Sequence, residues 1–194
     1  MPDFDPQSAL VVVDVQNDFA DAAGSLSVAG GAAIVPVIDA LIADARSAGA
    51  LVAYTADWHP AHTPHFAADG GVWPVHCVAG TWGAEFHPDL VVDGPVVRKG
   101  SNGEDGYSGF TMRDPVTGVT VSTELADLLR EAGVERVVVC GLATDYCVLS
   151  TALDAQAHGF ETSVVRDATR AVDVAPGDGD RALAELAAAG VRLA

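Results

Sequence analysis

ALVVVDV (residues 9–15) is an apolar run rich in valine that carries a single charge, Asp14, close to its end. A run of this kind is too short to span a bilayer and fits a strand buried on both faces. Working outward, GGAAIVPVIDALIADARSAG (30–49) sets apolar residues at helical spacing and stops at Gly49. LVAYTAD (51–57) is a second strand, ending in Asp57, and PVVRKG (95–100) is a third, ending at Lys99. VERVVVCG (134–141), FETSVVRDAT (160–169) and VRLA (191–194) supply three more. Helices are expected over TELADLLREAG (123–133), LATDYCVLSTALDAQAHG (142–159, helical from about Thr144) and GDRALAELAAAG (179–190). Strands alternating with helices predict an α/β fold, a three-layer arrangement with a six-stranded, mostly parallel sheet and helices on both faces. We expect one domain over residues 1–194. Ligands of open sheets bind beyond the carboxyl ends of the strands, and Asp14, Asp57, Lys99 and the Gly141–Cys147 turn all fall there.

Composition narrows the function classes. The chain is 49% hydrophobic and 19% charged, which is globular and not disordered. A formal net charge of −17 repels phosphate backbones and anionic bilayers, so neither nucleic acid nor membrane is an expected partner. No apolar run approaches the roughly 18–20 residues of a spanning helix. MPDFDPQ (1–7) has neither a basic n-region nor an apolar h-region, so the expected location is the cytoplasm. No segment stands out as an interface, and a homo-oligomer is left open. Three cysteines (Cys77, Cys140, Cys147), odd in number and without a CxxC pair, argue against a disulfide framework or a zinc knuckle. Among ten basic residues Lys99 alone is lysine, a compact charge that responds to its surroundings where arginine does not.

Two segments point to chemistry. DWHPAHTPHF (57–66) holds three of the six histidines in ten residues interrupted by prolines, and a metal is the plain explanation. In CGLATDYC (140–147) a strand stops at Gly141 and a helix begins, with Thr144 as a plausible N-cap and Cys147 at the third helical position. Unpaired amides and the positive dipole end would there stabilise a thiolate and cradle an oxyanion. Asp14 could serve as its base and Lys99 as the charge between them. Cys140, inside a valine run, reads as packing, as does Cys77. His87 and His158 read as a loop residue and a helix-end residue.

VVVDVQNDF (11–19), the DxH and HF of 57–66, WPVHC (73–77), the lysine of VRKG (97–100), YSGF (107–110) and GLATDYCV (141–148) occur in that order. Together they resemble the nicotinamidase/pyrazinamidase branch of the isochorismatase-like cysteine hydrolases, over about residues 9–170. The resemblance implies an isochorismatase-like, Rossmann-like fold and a catalytic triad of Asp14, Lys99 and Cys147. It implies an oxyanion hole from the backbone N–H groups of Ala143 and Cys147, next to a cis peptide between Leu142 and Ala143. It further implies one divalent metal ion (Zn²⁺, Fe²⁺ or Mn²⁺) on Asp57, His59 and His76, with His65 as a fourth ligand, gripping a pyridine nitrogen. His62 lies off that pattern. Phe19, Trp73 and Tyr107 match positions that line the pocket. The implied activity is hydrolysis of nicotinamide to nicotinate and ammonia through a cysteine thioester, with pyrazinamide as a second substrate. ADAAGSL (20–26) and SNGEDGYSGF (101–110) depart from the pattern by added length, which bears on substrate breadth. The alternatives are a cysteine amidohydrolase of the same superfamily acting on a carbamoyl or ureido compound, and a non-catalytic metal- or pyridine-binding scaffold.

Overall fold

The valine run decides the centre of the molecule. In the computed structural model, which describes residues 2–194, Ser8–Val13 forms β1 with every residue buried. Its side chains alternate: Leu10 and Val12 enter one hydrophobic cluster, Ala9, Val11 and Val13 the other, as a period-2 strand between two covered faces requires. After a short helix α1 (Asn17–Ala20) come α2 (Val35–Ser47), β2 (Leu51–Asp57) and β3 (Val96–Lys99). A small hairpin, β4 (Thr111–Arg113) and β5 (Thr120–Ser122), precedes α3 (Leu125–Glu131). The chain finishes with β6 (Arg136–Leu142), α4 (Leu149–Ala157), β7 (Glu161–Arg170), α5 (Asp178–Ala188) and β8 (Arg192–Leu193).

Six strands form one sheet in the order β3-β2-β1-β6-β7-β8, and every pairing is parallel. The order reverses between β1 and β6, which opens a crevice beyond their carboxyl ends. The helices divide unevenly. Ile38, Leu41, Ile42 and Ala45 of α2 pack on one face, whereas α3, α4 and α5 cover the other through residues such as Leu129, Ala155 and Leu186. Truncating one such fully buried leucine to alanine costs about 2–5 kcal/mol. On the α2 face the irregular excursion after β2 completes the cover, contributing Cys77, Ala84 and Leu90 to the core. Gln16 ties that excursion to the sheet, donating to the Asp57 and Ala84 carbonyls at 2.7 and 2.9 Å and accepting from the Asp57 N–H at 2.8 Å.

Several boundaries differ from the sequence reading. The first strand ends at Val13, because Asp14 turns the chain out of extended conformation with φ of 49°. The first helix begins as a 3₁₀ turn (Ala32–Ile34) and becomes α-helical at Val35. The β4–β5 hairpin was not expected. Gly141, at φ of 114°, lies so near β1 that a Cβ would sit 2.1 Å from the Val13 carbonyl oxygen. That close approach brings the end of β6 against Asp14. No helix among the described residues is long and apolar enough to cross a membrane. All three cysteines are free and buried.

Candidate active site

Four strand ends converge on one buried charge cluster. Asp14, in the left-handed region at the end of β1, accepts from the Thr55 hydroxyl at 2.6 Å and from Lys99 Nζ at 2.7 Å. Backbone in that region is uncommon for a non-glycine residue and concentrates at functional sites. Lys99 Nζ also lies 2.9 Å from Asp57 Oδ1, 3.0 Å from the Tyr107 carbonyl oxygen and 3.6 Å from Cys147 Sγ. Side-chain ligand atoms of Asp14, Asp57 and Cys147 lie within 4.8 Å of one another. The structure therefore brings together all three residues of the expected triad.

An ammonium and two carboxylates with almost no solvent contact depend on one another and on a few polar neighbours to hold their charges. Burial lowers the proton affinity of Lys99, but Asp14 and Asp57 outweigh it and raise its pKa well above the ordinary lysine value. For Asp14 burial is the larger influence; with the Asp57 charge beside it, it raises the carboxyl above the usual aspartate range against the pull of Lys99. Asp57 goes the other way, since Lys99 and His59 overcome its burial and hold it well below that range. Burial, with the two carboxylates, also lifts the Cys147 thiol well above the ordinary cysteine value despite Lys99. Burial therefore works against the thiolate that the helix start was expected to stabilise, and places the thiol next to a carboxylate of raised proton affinity.

The turn that carries Cys147 also differs from the expected one. The Leu142–Ala143 peptide is cis, as the resemblance implied. Ala143, not Thr144, caps the following turn; its backbone is extended (φ −103°, ψ 153°), and no side-chain hydrogen bond caps it. Thr144–Val148 is a π-helical turn that passes into α4, and such turns are frequent at functional sites. The Tyr146 and Val148 N–H groups both donate to the Ala143 carbonyl oxygen, at 3.1 and 3.0 Å. Cys147, between them in sequence, does not share that acceptor, and both Ala143 and Cys147 border the cleft described below.

His59, His65 and His76 are buried, with ligand atoms within 4.8 Å of one another. Asp57 faces both groups: Oδ1 pairs with Lys99, and Oδ2 lies 3.7 Å from His59 Nε2 and 3.8 Å from His76 Nε2. The outer nitrogens are held, His65 Nδ1 at 2.7 Å from Asp105 Oδ1 and His76 Nδ1 at 2.7 Å from the Pro74 carbonyl oxygen. Neither ring nitrogen of His59 has a hydrogen-bond partner although both are buried. An unsatisfied buried imidazole among two others and a carboxylate oxygen is the donor set of a divalent transition metal, and the four residues fit one. Burial, opposed in part by the Asp57 charge, lowers the His76 pKa to about 4, so its ring is a neutral donor at neutral pH.

Residues of both clusters, Asp57, His65, His76 and Cys147 among them, line a narrow cleft. Phe19, Trp73 and Tyr107 line it, and Trp73 Nε1–H donates to the Tyr107 hydroxyl at 3.0 Å. Sequence reasoning missed Tyr146, whose ring meets Trp73 and Tyr107 edge-on at centroid distances of 4.9 and 5.2 Å. It also missed Leu26 and Val172, which close the cleft with apolar side chains. Segments 20–26 and 101–110 both reach this wall, one through Leu26 and the other through Gly106 and Tyr107. His62 stands outside, its side chain 87% exposed and paired with Asp69. His87 is buried away from the cluster and accepts from the Asp89 N–H, while His158 packs on Phe110 beside Arg130.

The chain matches the isochorismatase domain over residues 8–194. It belongs to the isochorismatase family. Among its relatives there, the nicotinamidase of Escherichia coli is 39% identical over 206 residues, covering 97% of this chain and 94% of that one. The crystal structure of the pyrazinamidase of Pyrococcus horikoshii in complex with zinc superposes with a TM-score of 0.86 at 43% identity, over 97% of this chain and 99% of that one. An L. infantum family structure in complex with nicotinate gives a TM-score of 0.89 at 39% identity, covering 100% of this chain and 95% of that one. The parallel six-stranded architecture is thus that of the isochorismatase family.

Proposed function

We propose that the chain is an amidohydrolase that converts nicotinamide and water to nicotinate and ammonia through a thioester on Cys147, and that it accepts pyrazinamide. The observation that carries this reading is the position of Lys99 Nζ, 2.7 Å from Asp14 and 3.6 Å from Cys147 Sγ, beneath a cleft walled by aromatic rings and histidines. The substrate class is supported by a nicotinamidase at 39% identity and by the nicotinate complex of a relative at 39%.

Asp14 takes the proton of the Cys147 thiol as Sγ attacks the amide carbonyl carbon, and the carbonyl electron pair moves to oxygen. The N–H groups of Ala143 and Cys147 stabilise that oxyanion. As the C–N bond breaks, Asp14 delivers its proton to nitrogen, ammonia departs and a nicotinoyl thioester remains. Water then loses a proton to Asp14 and its oxygen bonds to the acyl carbon. The C–S bond breaks, Asp14 returns the proton to sulfur, and the product leaves as the carboxylic acid, which ionises to nicotinate by giving its proton to ammonia or water. A carboxyl whose pKa burial raises suits both halves of this cycle, since it binds a proton more readily than an ordinary aspartate does. Lys99 remains an ammonium throughout and offsets negative charge that passes between Asp14 and Sγ.

Asp57, His59, His65 and His76 would hold one divalent ion, Zn²⁺, Fe²⁺ or Mn²⁺, which when bound supplies a Lewis-acid contact for the ring nitrogen. Phe19, Trp73 and Tyr107 would fix the ring plane. Three free, buried cysteines suit a reducing compartment, in line with a cytoplasmic enzyme acting on a small aromatic amide. The test is ammonia release from nicotinamide by the metal-loaded protein and by Cys147→Ala. Turnover that vanishes in the variant is expected. Absence of turnover by the wild type would shift the substrate to a carbamoyl or ureido compound.

A further inference from the structure

His65 and His76 take their ring orientations from different parts of the chain. The partner of His76, the Pro74 carbonyl, is two residues away on the same excursion. The partner of His65 is Asp105, forty residues away, on the segment that runs from Lys99 to Tyr107. Asp105 is itself held firmly. Its backbone exchanges two hydrogen bonds with Arg113 at the end of β4, of 2.7 and 2.5 Å, and Oδ1 accepts from the Gly106 N–H at 2.8 Å. The Arg113 guanidinium lies 3.6 Å from Oδ2. An ionised carboxylate only accepts, so this contact places the His65 proton on Nδ1 and leaves the Nε2 lone pair for the cluster.

We propose that Asp105 is a positioning residue that makes His65 a direct fourth metal ligand and couples the metal cluster to the segment bearing Lys99 and Tyr107. The inference rests on the metal reading given above and adds the carboxylate–histidine arm to it. Removing Asp105 frees the His65 ring to turn and lowers the basicity of its donor nitrogen, while Asp57, His59 and His76 keep their places. The segment between Lys99 and the YSGF motif then has a role, since it carries Asp105 to His65.

The test is a metal titration and not an activity assay. Metal-free wild type, Asp105→Asn, Asp105→Ala and His65→Ala are titrated with Zn²⁺ and Co²⁺ against a chromophoric chelator, and the visible spectrum of each Co²⁺ form is recorded. Asp105→Ala is expected to bind about 10–100-fold more weakly and to give the Co²⁺ spectrum of His65→Ala. Asp105→Asn, whose amide oxygen still accepts from Nδ1–H, is expected to recover part of the affinity and the wild-type spectrum. Wild-type affinity and spectrum in Asp105→Ala would overturn the inference while leaving the metal reading intact, and a His65→Ala spectrum identical to wild type would overturn it and reduce that reading to Asp57, His59 and His76. A wild type that binds neither ion would overturn both, and the first titration separates the two cases.

Discussion

Two regions meet at the cleft and are built on different principles. The charge cluster hangs from strand ends: Asp14 after β1, Asp57 closing β2, Lys99 closing β3 and Cys147 just past β6. Each position is fixed by parallel registers such as Asp57 opposite Lys99 and Val13 opposite Gly141. The histidine cluster and the ring walls hang from irregular chain, the stretch after β2 and the segment after β3, held by side-chain contacts such as His65 to Asp105 and Trp73 to Tyr107. A rigid sheet edge can hold reacting groups in place, while loops can be lengthened without disturbing the sheet. Under the proposed function, this difference leaves bond making and breaking to the strand ends, and choice and grip of the ring to the loops.

The most severe way to break this division is to remove the nucleophile. Cys147→Ala should lower kcat/KM by on the order of 10⁴-fold or more while leaving metal content at the wild-type level, as metal analysis of the purified variant will show. Lys99→Met attacks the other half of the cluster. It strands Asp14 and Asp57 in a buried site without their cation, and a stability loss of about 3–5 kcal/mol is expected by urea denaturation. Chelation should act differently. Loss of the ring's anchor should reduce kcat/KM by about 10²-fold, mostly through KM, with Cys147 still open to alkylation. The pH profile follows from Asp14. Its carboxyl must be ionised to take the thiol proton, and its pKa is raised, so the acid limb of kcat/KM should lie above pH 3.8. Activity should rise as pH increases through that limb. The smallest effect belongs to the wall. Tyr107→Phe removes the acceptor of Trp73 Nε1–H, a loss of about 0.5–1.5 kcal/mol, read as a several-fold rise in KM with kcat little changed.

The same division explains what could be read from the sequence. Asp14, Asp57 and Lys99 announced themselves because each ends an apolar run, and strand ends converge in a parallel sheet wherever helices cross over. Helix stops at Gly49, Gly133 and Gly159 were legible, and all three take positive φ. The β4–β5 hairpin gave no such signal: its strands are three residues long and β5 is exposed throughout, so no apolar alternation marks it. Thr144 looked like a cap because caps are usually Ser, Thr, Asp or Asn, and nothing in GLATDYC discloses a π turn starting from Ala143. Asp105 was invisible in SNGEDGYSGF, where a carboxylate that holds a histidine reads like a solvated loop acid. Tyr146 stood beside the nucleophile, but its side chain enters the cleft only through the geometry of that turn. The metal ligands and ring walls came from resemblance to known hydrolases, since three histidines in a loop specify a metal without specifying which of them hold it.

The most direct test of the central assignment is rapid-quench peptide mapping of the metal-loaded protein during nicotinamide turnover. Acid-quenched samples should carry a nicotinoyl adduct on the peptide containing Cys147, formed and consumed at rates compatible with steady-state ammonia release. Sustained ammonia release with no acyl adduct at Cys147, and undiminished release from Cys147→Ala, would contradict an account in which the strand-borne cluster does the chemistry.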